Sequence, residues 1–115
     1  MEETFGSKLR EKRREVGITQ RDLATKIGVD FSYISKVEND RLPPPAADTI
    51  VAICQILGTE PEELLALTGK IPSKIQETIS SKRTAQEFLR EAQKMDLGEE
   101  EWAVMLRSLQ ELRKG

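Results

Sequence analysis

Reactive groups are scarce in these 115 residues, which include no histidine and one cysteine, Cys54. Histidine is the commonest general acid/base, and zinc sites are built from Cys and His. Acid–base catalysis and a zinc centre therefore lack their usual groups. Cys54 stands in DTIVAICQILG, whose apolar neighbours mark it as a buried small hydrophobe rather than a reactive thiol. No catalytic constellation and no cofactor site is legible, so an enzyme is not expected. Hydrogen bonding remains. The stretch QRDLATKIGVDFSYISKVEN, residues 20–39, sets amide, hydroxyl and basic side chains between Leu23, Ala24, Ile27, Val29, Ile34 and Val37.

Two short amphipathic helices must position those groups. Thr19 precedes QRDLATKIG, where its hydroxyl can cap the helix, with Asp22 three residues on as an approximate capping-box partner. Leu23 and Ile27 share one face. Gly28 ends this helix, where a left-handed backbone is cheap for glycine. Asp30 is placed to cap the next helix, FSYISKVEN, which turns Ile34 and Val37 inward. Helices of about eight residues joined by one tight turn cannot lie antiparallel with fully paired faces. Ala24 lets the second cross closely over the first. That crossing leaves Phe31, Ser32, Ser35 and Lys36 on an open outer face, with Asp30 at its start. Such a pair is a helix-turn-helix, whose second helix enters the DNA major groove.

The rest of the chain also reads as helix. Phe5, Leu9 and Lys12 or Arg13 recur at three- and four-residue spacing before Gly17. The bases Lys8, Arg10, Lys12, Arg13 and Arg14 alternate with acids, which suggests a solvated face. RLPPP cannot be helical. AADTIVAICQIL is expected to form a fourth helix stopped by Gly58. PEELLAL is expected to form a fifth, with Thr59 as its cap, Pro61 in its first turn and Gly69 at its end. Glu38 is expected to pair with a nearby base and hold the end of its helix.

Q-x-x-L-A-x-x-I-G-V followed by Y-I-S-K-V-E-N resembles the Xre/Cro/CI family of bacterial and phage repressors, and five helices over residues 5–68 match that family's domain. The resemblance implies an all-α, lambda-repressor-like DNA-binding domain acting as a homodimer on near-palindromic double-stranded DNA, usually in repression. It also implies roles for single residues. Gln20 would brace against a backbone phosphate, with Thr19 adding a hydroxyl. Asp30, Phe31, Ser32, Ser35 and Lys36 fall where base edges are read. Tyr33, Asn39 and Arg41 fall at or near phosphate-facing positions. Asp30 has a second reading as a helix cap only. Phe31 departs from the polar residue common at its position; it could meet a thymine methyl or turn back onto its own domain.

A boundary is expected at TGKIPSK, giving a DNA-binding domain over 1–69 and a C-terminal helical region over 70–115. IPSKIQETI is a short helix candidate. RTAQEFLREAQKM places Ala85, Phe88, Leu89, Ala92 and Met95 on one stripe. EEEWAVMLRSLQELRK places Trp102, Met105, Leu106, Leu109 and Leu112 on one face. A two-helix tail lacks the surface to bury a core alone. It is therefore expected to pack on a second copy through Phe88, Leu89, Trp102, Met105, Leu106, Leu109 and Leu112, or else to fold back on its own domain. The arrangement resembles SinR-type repressors, in which such a hairpin self-associates or takes a hairpin from an antagonist. Other relatives with helical tails are inactivated by a regulatory peptidase, although no scissile bond is marked here.

The net charge of −2 does not announce nucleic acid. Residues 1–41 are the least acidic part, at +1, so phosphate contacts must come from local placement of charge. SKR and RKG are too short to act as nucleic-acid tails. The start, MEETFGSKLREKRREVG, lacks a signal-peptide apolar region, and no run approaches a membrane span, so a cytoplasmic protein is expected. Three alternatives stay open: an antitoxin or restriction-controller whose C-terminal helices bind a partner, an adaptor using the fold for protein contacts, and, least favoured, an enzyme.

Overall fold

The computed structural model describes residues 3–114, which form eight helices and no strand. Met1, Glu2 and Gly115, and the readings of the extreme ends that rest on them, lie outside the described residues. The helices are α1 Phe5–Val16, α2 Gln20–Ile27, α3 Phe31–Glu38, α4 Ala47–Leu57, α5 Glu62–Thr68, α6 Ser73–Ser80, α7 Arg83–Met95 and α8 Glu99–Glu111. They divide into two compact units, residues 1–76 and 77–115. The division falls inside α6. Asp48 accepts from the Ser73 backbone N–H (2.9 Å) and hydroxyl (2.8 Å), which ties the start of α6 to α4.

In the first unit, α2 packs across α3 and against α4, and α1 lies against α3, α4 and α5. Phe5, Leu9, Leu23, Ala24, Ile34, Val37, Ile50, Ile53, Cys54, Leu57, Leu64 and Leu65 form one core. Burial pushes the Cys54 thiol up from its ordinary value. The Thr19 hydroxyl accepts from the Asp22 N–H at 3.0 Å, capping α2. Gly28, at φ 77°, ends α2 in the left-handed region. Ala24 is buried at the α2–α3 crossing, and its carbonyl accepts from the Val29 N–H at 2.9 Å.

Three expectations are corrected. Asp30 occupies the cap position of α3, but its side chain makes no cap hydrogen bond. Thr59 does not cap α5; the cap position belongs to Pro61, and Glu62 and Glu63 fill the first turn, where carboxylates suit the helix dipole. The bases of α1 do not form one solvated face. Arg13 is 8% exposed, and Lys8 and Lys12 both reach Glu63 at 2.8 Å, joining α1 to α5.

In the second unit, α7 and α8 are joined through Asp96–Gly98. Ala92 is the single buried residue among those described. No helix among the described residues is long and apolar enough to cross a membrane.

Candidate nucleic-acid interface

Helix α3 is fixed from beneath at one end. At its C-terminal end, Gly6 of α1 lies so close that an added Cβ would sit 2.4 Å from the Val37 carbonyl oxygen. Thr4 donates to the Asp40 carboxylate at 2.9 Å. Glu38, on the last turn, is 2% exposed. Arg13 meets it with a two-pronged contact, Nε to Oε2 at 2.7 Å and Nη2 to Oε1 at 3.0 Å. The remaining Arg13 nitrogen donates to the Ile18 carbonyl at 2.9 Å. Gln20 Nε2 donates to Glu38 Oε1 at 2.9 Å, and Arg10 Nε donates to the same oxygen at 3.4 Å. Burial alone would raise the Glu38 carboxyl. The hydrogen bonds from Arg13 and Gln20, the Arg13 charge and Arg10 reverse that and hold it below its ordinary value. One buried carboxylate thus orients side chains from α1 and α2 around the end of α3.

The expected site residues fall into distinct surroundings. Thr19, Gln20 and Phe31 line one open cleft with Arg10, Arg13, Arg14 and Arg21. With one N–H on Glu38, Gln20 Nε2 keeps a second N–H, and it stands at the start of a helix, where backbone N–H groups favour anions. Asp30, Ser32 and Lys36 are exposed along α3, and Ser35 is half-buried. The Tyr33 ring packs against the core. The Asn39 amide donates to the Ser35 carbonyl at 2.9 Å, and its oxygen accepts from Arg10. Arg41 is exposed beyond the helix end. The Phe31 ring stays outside the core, 41% exposed, with the Arg21 guanidinium 4.9 Å from its centroid.

The alternation of bases and acids suggests a solvated face for Arg10, Arg13 and Arg14 and gives Arg21 no role. Arg14 and Arg21 make no ion pair among the described residues, and the one carboxylate beneath the cleft is already held by Arg13. The signal was present in the spacing. Arg10, Arg13 and Arg14 stand at i, i+3 and i+4, which gathers them on one helical face.

The second unit presents a different surface. Phe88, Leu89, Trp102, Met105, Leu106, Leu109 and Leu112 all line one apolar groove with Ile79 and Ala85. Leu109 and Leu112 are 66% and 74% exposed.

The helix-turn-helix family model matches residues 9–64. The transcriptional regulator RghRB of Bacillus subtilis is 33% identical over 91 residues, which cover 76% of this chain and 66% of that protein. The transcriptional repressor RghR of the same organism is 33% identical over 95 residues, covering 83% of this chain and 70% of its own length. The chain belongs to the helix-turn-helix transcriptional regulators of the Xre/Cro/CI type. Among solved members of this fold, SinR in complex with DNA has a TM-score of 0.50 at 27% identity, covering 54% of this chain and 98% of that one. The P22 c2 repressor bound to a synthetic operator has a TM-score of 0.51 at 26% identity, covering 57% and 98%. The SinR/SinI complex has a TM-score of 0.51 and covers 96% of this chain and 98% of that one. At 22% identity it shows the fold alone.

Proposed function

We propose that this helix-turn-helix regulator is a repressor that binds a near-palindromic operator as a homodimer. In this reading, residues 1–69 read the DNA and residues 70–115 hold two copies together. Asp30, Phe31, Ser32, Ser35 and Lys36 face base edges. Thr19, Gln20, Tyr33, Asn39 and Arg41 face phosphates, with Arg10, Arg14 and Arg21 added from the cleft. Both RghR and the c2 protein bear the name of repressor, and c2 is described on an operator.

The observation that carries the reading is the two-sidedness of α3. Ile34, Val37 and Glu38 are buried beneath it, while Phe31, Ser32 and Lys36 stay open along its outer side. One such helix supplies few base contacts, and a good bidentate contact discriminates by about 1–3 kcal/mol. Specificity therefore favours two copies on half-sites about 34 Å apart. The apolar groove of α7 and α8 supplies a surface for joining them.

Selection of genomic fragments by the purified full-length protein tests this reading. An inverted repeat with half-sites about one helical turn apart is expected. Recovery of no common site would sink it.

A second reading is an antitoxin or restriction-controller type whose C-terminal helices bind a partner protein, whether a toxin, an antagonist or a regulatory peptidase. It is favoured by a second apolar side of the hairpin, where Met95, Leu97 and Val104 join Phe88 and Met105. A groove filled by a second copy would leave that side uncovered.

A further inference from the structure

We infer that Phe31 reads the C5-methyl group of a pyrimidine in the bound DNA, with Arg21 fixing the ring for that contact. The inference rests on the DNA-binding reading above and names the chemistry of one position in it.

Phe31 is the first residue of α3, and base edges are met by the N-terminal residues of a recognition helix. Its ring carries neither donor nor acceptor, so the hydrogen-bond code of the groove is closed to it. The apolar feature of a major-groove edge is the C5-methyl of thymine, and 5-methylcytosine carries a methyl at the same ring position. The ring is not needed by its own domain. The inward positions of α3 are taken by Ile34 and Val37, and Phe31 lies outside the core they join.

Arg21 gives the second half of the argument. Its guanidinium lies over the ring, 4.9 Å from the centroid, and Phe31 remains 41% exposed beside it. A cation over a ring face is attractive and restrains both side chains. Because the Arg21 side chain makes no ion pair among the described residues, its donors remain available to a phosphate while its plane braces the ring. The aromatic surface is thus oriented before DNA arrives, which lowers the entropy lost on contact.

The test uses the full-length protein and the site recovered by genomic selection. Each thymine is replaced singly by deoxyuridine, which removes one methyl, and each cytosine singly by 5-methylcytosine, which adds one. Binding is measured for the parent, Phe31→Ala, Phe31→Leu and Arg21→Ala, each checked for helical content. One thymine position is expected to weaken the parent roughly three- to ten-fold when demethylated, the scale of one buried methyl. Phe31→Ala should lose that dependence, Phe31→Leu should keep part of it, and Arg21→Ala should reduce it. If instead one 5-methylcytosine strengthens the parent, and the gain disappears in Phe31→Ala, the methyl comes from modified cytosine and the inference stands. Methyl dependence that survives in Phe31→Ala, or is absent from the parent at every position, overturns the inference while sequence-specific binding keeps the DNA reading intact. Failure to recover any site removes both.

Discussion

In residues 1–76 five helices bury most of their large apolar side chains around one core. In residues 77–115 the helices α7 and α8 leave Trp102, Leu106, Leu109 and Leu112 open to solvent. The first unit has enough apolar surface that it also encloses a charged pair, Arg13 with Glu38, beneath its candidate DNA-facing side. Among the described residues the second buries only Ala92, as expected of about forty residues without a staple. The contrast teaches how the labour is divided. On the proposed reading, the unit that holds side chains in register on DNA has an interior, whereas the unit proposed to join a second copy keeps its apolar side chains outside.

The largest effect expected from breaking this contrast lies at Glu38. Glu38→Ala leaves the Arg13 guanidinium buried without its carboxylate, which costs about 3–5 kcal/mol, a large share of a small domain's stability. Thermal or urea unfolding of the variant would measure it; an unchanged midpoint would mean the pair is solvated. Replacing both ends, Arg13→Met with Glu38→Leu, is expected to restore most of the stability. That double variant should still bind DNA weakly, because Gln20 has lost the acceptor that orients its amide.

Much of the first unit was legible in the sequence. The Thr19 cap, the Gly28 turn, the small Ala24 at the crossing and the inward Ile34 and Val37 all follow from local chemistry and a helical period. The buried pair was half-visible. Arg13 continues the Phe5–Leu9 stripe at a spacing of four, and Glu38 stands four residues after Ile34, so each puts a charge at an inward position. Nothing local says that the two meet across 25 residues. The Arg21–Phe31 stacking was hidden for the same reason, since it depends on how α2 and α3 cross. The start of α5 was misread because Thr59 is a good cap by type, while the backbone places Pro61 at that position.

The next effect concerns the second unit. Truncation after Gln76 keeps the Ser73–Asp48 clamp and should leave a folded domain. If the hairpin joins two copies, the truncated form loses the gain from linkage, on the order of 10²- to 10⁴-fold in operator affinity. Equal affinity would remove the joining role. Within the full chain, Trp102→Ala is expected to shift the mass in solution from two copies towards one with little change in the melting of the first unit. A loss of stability at constant mass would mean that the hairpin folds back on its own chain.

A smaller change belongs to the open side of α3. Lys36→Ala removes one exposed ammonium and should weaken specific binding by about 1–3 kcal/mol, roughly five- to 150-fold, with unchanged helical content. Its salt dependence separates two roles. A shallower dependence on salt, with selectivity kept, marks a phosphate contact. Relaxed preference at one base pair marks a base contact.

The smallest effect sharpens the comparison through pH. Hydrogen bonds from Lys12 and then Lys8 hold the Glu63 carboxyl down at about 2, against an ordinary value of 4.5. As pH falls below 4.5 the unfolded chain takes up a proton at this residue while the folded chain does not, so folding is progressively disfavoured. The Glu63 contribution is therefore complete above about pH 4.5, declines between 4.5 and 2, and is gone once the folded carboxyl also protonates. Because Glu63 itself is exposed, the change should be a modest drop in melting temperature that salt reduces. Glu63→Gln should flatten that part of the acid limb and leave the mass of the full chain in solution unaltered, since the cluster joins α1 to α5 inside the first unit. An acid limb as steep in Glu63→Gln as in the parent would assign the acid sensitivity to Glu38 beneath the candidate DNA-facing surface, or to Asp48 at the α4–α6 clamp, whose carboxyls are also held low.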